Sequence, residues 1–167
     1  MKVAEITSLL IGRVVEMDRH GIVYQLVRPL RIFVTGPGIA ETALESELKR
    51  LGLTVAMWPN FDTYDLRVTV PNGEVWALDV KDRANPALLA RGSQPLRPDP
   101  PYDRAFLVIP QYRFDDRKDY PTVFAHHTSS ELRERIELVS DTELLTAIKK
   151  QLRAAGSRPA TRRTKNA

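Results

Sequence analysis

At 167 residues, 43% hydrophobic and 28% charged, the chain has material for one globular domain with its own core, and with no cysteine it forms neither disulfides nor thiolate metal sites, as fits a reducing cytoplasm. No apolar run approaches the ~18 residues of a membrane span, and Glu5 within "MKVAEITSLL" argues against a secretion signal, so a cytoplasmic chain without a membrane partner is expected. The net charge of +4 excludes less than it promises: setting aside Arg158, Arg162, Arg163 and Lys165 leaves 21 basic against 21 acidic residues, so the basicity belongs to the tail, residues 154–167, expected to be disordered.

Along the chain, Val3, Ile6, Leu10, Val14 and Met17 recur at steps of three and four, an amphipathic helix ended by His20-Gly21. "GIVYQLV" is too short to assign. "RIFV" reads as a strand closed by "TGPG". In "GIAETALESELKRLG", Ala40, Leu44, Leu48 and Leu51 form a helical stripe, and Gly52 stands where a helix C-terminal glycine belongs. "LTVAMWP" reads as a buried strand and residues 63–82 as a hairpin. "ANPALLAR" is a short helix, "GSQPLRPDPPYD" a proline-rich loop and "RAFLVIP" a buried strand. "QYRFDDRKDYP" reads as a charged loop, and "TVFAHHT" as a strand or edge segment. "SSELRER" is a short helix with Ser130 as the expected cap. "IELVS" is a strand, and "DTELLTAIKKQL" a final helix capped by Asp141 or Thr142. Strands and helices alternate around one hairpin, which predicts an α/β fold with a mixed sheet.

The hairpin carries the chemistry. The turn "PNG" fits a three-residue loop with Gly73 left-handed. Val70 then faces Glu74, Arg67 faces Ala77, Asp65 faces Asp79 and Thr63 faces Lys81. Leu66, Val68, Val70, Trp76, Leu78 and Val80 fall on one face; Asp65, Arg67, Thr69, Val75, Ala77, Asp79 and Lys81 fall on the other. A two-residue loop on Asn72-Gly73 would shift the register by one and mix the faces. Two opposed aspartates repel, and a cation offsets that. Mg²⁺ or Mn²⁺ suits such hard oxygen ligands, usually with waters and phosphate oxygens completing the shell. Lys81 points the same way as Asp79 and is placed to orient or deprotonate a water, or to stabilise charge on a phosphate. The plain alternative is a solvated strand face on which Lys81 neutralises Asp79, since Asp-x-Lys is a common tripeptide.

"GIAETALESELKRLGLTVAMWPNFDTYDLRVTVPNGEVWALDVKD" resembles the PD-(D/E)xK nuclease superfamily. The resemblance implies a restriction-endonuclease-like core over residues 36–153, a mixed sheet with a central hairpin flanked by helices, and an N-terminal helical extension, residues 1–35, able to dock on a partner. It implies a metal site of Asp65, Asp79, the Val80 carbonyl and the helix glutamate Glu41, with Glu45 as the fallback and Lys81 as the catalytic lysine. Tyr64 stands where the family usually has proline. Arg67 and Arg83, flanking the motif, are the expected nucleic-acid contacts. More narrowly, "RPLRIFVTGPG", "MWPNFDTYDLRV" and "WALDVKDRANP" resemble the endonuclease-like proteins of pPIWI-RE defence systems. That implies a Mg²⁺-dependent endonuclease acting on DNA beside a pPIWI/Argonaute-like or helicase partner. The neutral body adds the expectation of a homodimer or a larger partner to supply affinity. Two other readings stay open: a non-catalytic nuclease-fold subunit that binds nucleic acid or a partner, and an assembly domain.

Three further features have plainer readings. "TGPGIAE" lacks the Lys-Ser/Thr of a phosphate loop and reads as a turn. Adjacent His126 and His127 would point to opposite faces of a strand and could not share an ion. Trp58 and Trp76 are expected in the core.

Overall fold

The computed structural model describes residues 38–156. The expected N-terminal helix, the "RIFV" strand and nearly all of the expected tail lie outside them. The chain divides into two units between Ile39 and Ala40, and the second holds the five strands of the described residues. Helix α1 (Ile39–Arg50) buries Leu44 and Leu48 at four-residue spacing, with Ala40 and Leu51 packed beside them. Gly52, at φ +80°, ends it: its N–H donates to the Lys49 carbonyl at 2.9 Å, and the Leu53 N–H to the Leu48 carbonyl at 3.3 Å. Strand β1 (Thr54–Met57) leads through a short helix α2 (Pro59–Asp62) into the hairpin β2 (Leu66–Thr69) and β3 (Val75–Val80). Helix α3 (Pro86–Gly92) is capped by Asn85, whose side chain accepts from the Leu88 N–H. Then come β4 (Arg104–Ile109), α4 (Gln111–Asp116), α5 (Tyr120–His127), α6 (Ser130–Arg135), β5 (Glu137–Ser140) and α7 (Asp141–Gly156).

The five strands form one sheet in the order β1-β2-β3-β4-β5. The first three are antiparallel neighbours, and β3, β4 and β5 are parallel. The fold is α/β with a mixed sheet flanked by helices. Parallel neighbours need crossovers, and α3 and α4–α6 supply them. Two cores result. On one face Leu44, Leu48, Leu144 and Ile148 pack against Leu66, Val68, Trp76, Leu78, Val80 and Phe106. On the other, Leu89, Tyr120, Phe124 and Leu132 pack against Ala105, Leu107 and Ile109. Because β4 is covered on both faces, Ala105–Ile109 is an unbroken buried run. Each fully buried Leu or Ile side chain contributes about 1.5–3 kcal/mol here.

The hairpin register is the expected one: Leu66 faces Leu78, Arg67 faces Ala77, Val68 faces Trp76 and Thr69 faces Val75. The Val70 N–H donates to the Glu74 carbonyl at 2.9 Å, and Gly73 sits at φ +92°. The six apolar residues of one face are all buried in one core.

Several expectations are corrected. Strand β1 is an edge strand with alternate residues exposed, not a buried one. Residues 111–121, read as a charged loop, and 122–128, read as a strand or edge segment, instead hold helices α4 and α5. Phe114 and Tyr120 stack at 5.2 Å, and Tyr120 and Phe124 enter the core; that packing decides the conformation where these short polar sequences carry no clear period. The cap of α6 is Ser129, which accepts from the Leu132 N–H at 3.2 Å, rather than Ser130. The cap of α7 is Ser140 rather than Asp141 or Thr142. Its Oγ accepts from the Glu143 N–H at 3.0 Å, while the Glu143 carboxylate accepts from the Ser140 N–H at 2.8 Å, a reciprocal capping box. Helix α7 runs on to Gly156, three residues into the segment expected to be disordered. Trp76 is 1% exposed, as expected, but Trp58 is 49% exposed. Trp58 has left-handed backbone, φ 46°, ahead of α2, which carries its indole out of the core.

Candidate active site at the open end of the hairpin

The ladder of β2 and β3 explains why an aspartate stands at position 65. Val70 and Glu74 form a hydrogen-bonded pair, so the alternation makes Leu66–Leu78 another and would make Tyr64–Val80 the next. The chain instead bends away before Leu66. The Asp65 carboxylate takes over the lost ladder bond: Oδ2 accepts from the Val80 N–H at 2.6 Å. Asp65 lies one residue before the last ladder pair, Leu66–Leu78, and Asp79 one residue past it on β3. In a strand a residue's N–H and C=O point to the same edge, so the Val80 carbonyl faces the side on which Asp65 lies.

Lys81 completes the cluster. Its Nζ donates to Asp79 Oδ1 at 2.7 Å and lies 3.4 Å from Asp65 Oδ2, spanning both carboxylates. The Lys81 N–H donates to the Val108 carbonyl at 2.9 Å, so the residue is still anchored to β4. The side chains of Asp65, Asp79 and Lys81 are 12%, 19% and 36% exposed. The face is thus recessed rather than freely solvated, while the Lys81–Asp79 contact that the plain reading expects is present. Ala77, on the same face, is fully buried, and the sheet is covered on both sides. Thr63, expected opposite Lys81 in the ladder, instead ends α2, with its N–H bonded to the Pro59 carbonyl.

The electrostatics follow from this burial. Desolvation pushes the Asp65 carboxyl up to about 6, with the Asp79 and Glu41 charges adding to it and Lys81 and the Val80 N–H opposing it. Burial pulls the Lys81 ammonium down, but Asp79 and Asp65 outweigh it and hold it above its ordinary value. Lys81 is thus a cation at neutral pH, which favours an electrostatic role over that of a base.

A hard divalent cation fits the donor set: two carboxylates and a carbonyl on one edge, with an aspartate whose carboxyl is raised by burial. Glu41 lies close enough for its charge to act on Asp65, but among the described residues no three His, Cys, Asp or Glu are gathered to hold a metal. Glu45 is engaged with Lys49 at 2.6 Å. The histidine pair lies on α5, with rings 5.0 Å apart and His127 Nδ1 3.3 Å from the Arg91 guanidinium. Strand alternation is therefore not what separates them, but neither lines the cleft beside Asp79 and Lys81.

That cleft, of about 1110 Å³, lies between α2, α3 and residues 93–97, and Asp79 and Lys81 open onto it. Of the two arginines expected to meet nucleic acid, Arg83 lines this cleft and Arg67 does not. Arg67 is part-buried on β2, and its Nε is buried without a hydrogen-bond partner. Two features escaped the sequence reading. Arg97 reaches the cleft from the proline-rich loop, a placement no local pattern signals. Asp82, the residue after Lys81, is clamped by α4: Tyr112 Oη donates to it at 2.5 Å and Arg113 Nε at 2.6 Å. Asp82 raises Tyr112, itself already raised by burial, to about 12. The neighbouring Arg83 carbonyl accepts from Tyr120 Oη at 2.8 Å. The chain leaving the motif is thereby held on both sides, and the helical reading of 111–127 would have been needed to see it.

A family model described as "REase associating with pPIWI_RE" matches residues 38–156. Comparison with curated proteins and with solved structures found no match.

Proposed function

Because the chain belongs to the family of REases associating with pPIWI_RE, we propose that it is a Mg²⁺-dependent endonuclease that cuts DNA, with Asp65, Asp79 and Lys81 as its centre. The observation that carries this reading is the recessed cluster itself: two aspartates on adjacent strands spanned by one lysine at 2.7 and 3.4 Å, opening onto a cleft. Mg²⁺ or Mn²⁺, held by Asp65, Asp79 and the Val80 carbonyl, would supply a hard Lewis acid at the scissile phosphate. Glu41, outside the two-aspartate cluster, takes the outer water shell.

The chain's own residues do the rest. The Val80 N–H fixes the Asp65 carboxylate, so one ligand is oriented before anything binds. Lys81 stays protonated and offers its charge where negative charge builds on the phosphate during displacement. The Asp82–Tyr112–Arg113 contacts keep the end of β3 from shifting relative to the cleft. The body of the chain is charge-neutral, so the proposed pPIWI/Argonaute-like partner supplies most of the affinity and the choice of site. The test is single-turnover cleavage of end-labelled DNA by the full chain with its partner, in Mg²⁺ and in EDTA. Cleavage that needs Mg²⁺ and is lost in Asp79→Asn supports the reading; cleavage undiminished in EDTA or in Asp79→Asn overturns it.

A further inference from the structure

The cleft holds more than the two residues that open onto it. One wall is α3 and residues 93–97; the other carries Asn60 and Thr63. Its charged lining is Asp79, Lys81, Arg83 and Arg97. Lys81 and Asp79 are paired with each other, so Arg83 and Arg97 stand uncompensated. Among the described residues Arg104 pairs with Glu137, Arg113 with Asp82 and Arg117 with Asp119, whereas neither cleft arginine has an ion-pair partner. The cleft thus gathers two unpaired guanidiniums beside the Lys81 cation. Between them lie amide side chains, Asn85 and Gln94, and the apolar Leu88, 65% exposed.

Such a lining suits a polyanion with planar, hydrogen-bonding and apolar parts. Its size decides which one. A volume of about 1110 Å³ lies just above the ~300–1,000 Å³ range of small-ligand sites, room for a few nucleotides but not for a turn of duplex. Asp79 and Lys81 line the cleft with side chains only 19% and 36% exposed, so the scissile phosphate has to enter the cleft to meet them. We infer that the cleft takes a single unpaired nucleic-acid strand, with Arg83 and Arg97 as ligands of the backbone phosphates beside the scissile one. The inference rests on the nuclease reading above and narrows its substrate to a strand already separated from its complement, such as a displaced strand or a frayed end.

The test measures binding without turnover. Fluorescence anisotropy of a labelled oligo-dT of about 12 nucleotides, and of a duplex of the same length, is followed with the full chain in EDTA over a salt series. The single strand should bind at least about 10-fold tighter than the duplex. Arg83→Ala and Arg97→Ala should each weaken single-strand binding about 5–10-fold and lower the salt slope by about 0.7, one phosphate contact each. Lys118→Ala, an exposed cation paired with Asp115, should behave as wild type, and all three variants should melt with wild type. Equal or tighter duplex binding, no binding of the single strand, or an Arg97→Ala variant indistinguishable from Lys118→Ala would overturn the inference. Failure of cleavage with this binding pattern intact would count against the nuclease reading alone.

Discussion

Asp65→Asn separates the cost of the buried charge from the structural use of the side chain. In the folded protein the Asp65 carboxyl is raised from 3.8 to about 6. The folded state therefore holds its proton more tightly than the unfolded chain. Below about pH 3.8 the group is protonated in both states and costs nothing. As pH rises through the window from 3.8 to about 6 the folded state is progressively penalised, and above it the penalty is complete. At about 1.4 kcal/mol per pH unit the full penalty is on the order of 3 kcal/mol, trimmed by screening because the side chain is not fully enclosed. Asparagine keeps an oxygen to accept from the Val80 N–H and never ionises. With metal removed, Asp65→Asn should match wild type near pH 3.5 and exceed it by about 1–3 kcal/mol at pH 7.5, a melting difference of roughly 5–12 °C. Thermal unfolding in EDTA from pH 3.5 to 8 reads this directly, and Mn²⁺ at pH 7.5 should raise the wild type but not the variant. A variant less stable than wild type at pH 7.5, or a gap unchanged between pH 3.5 and 7.5, would refute the account of the buried charge.

Lys81→Ala should leave DNA binding nearly intact while slowing single-turnover cleavage by a factor on the order of 10²–10⁴, and undiminished cleavage would remove Lys81 from the chemistry. Ser140→Ala breaks the capping box of α7 and should cost about 1 kcal/mol in urea unfolding. Trp76→Ala should cost about 3–5 kcal/mol or prevent folding, whereas Trp58→Ala, at an exposed indole, should stay within about 0.5 kcal/mol of wild type by the same assay.

What was legible in the sequence is what a local period encodes. The alternation across "LRVTVPNGEVWALDV" has one register that segregates its faces, so the pairing, the left-handed Gly73 and the juxtaposition of Asp65 with Asp79 could be read before any coordinates. Helix α1 was legible for the same reason, through Leu44 and Leu48. Helices α4 and α5 were not: each is a short polar or mixed segment seated by aromatic residues, Phe114 on α4 and Tyr120 and Phe124 on α5, that reach a core built by residues far along the chain. Trp58 was misassigned because its left-handed backbone overrides what an apolar side chain usually does. In the candidate site, the clustering of Asp65, Asp79 and Lys81 was readable. The bond from the Val80 N–H to Asp65 was not, since it depends on where the chain leaves the ladder. Arg97 could not be placed at all, because the proline-rich loop carries no period that says which wall it forms.

The most direct test of the central claim is a crystal of the full chain soaked in Mn²⁺ and measured at the manganese edge. The account predicts one strong anomalous peak within coordinating distance of an oxygen of Asp65 and an oxygen of Asp79, with the Lys81 ammonium moved from between them. Well-ordered aspartates still spanned by Lys81, with no peak beside them, would contradict it.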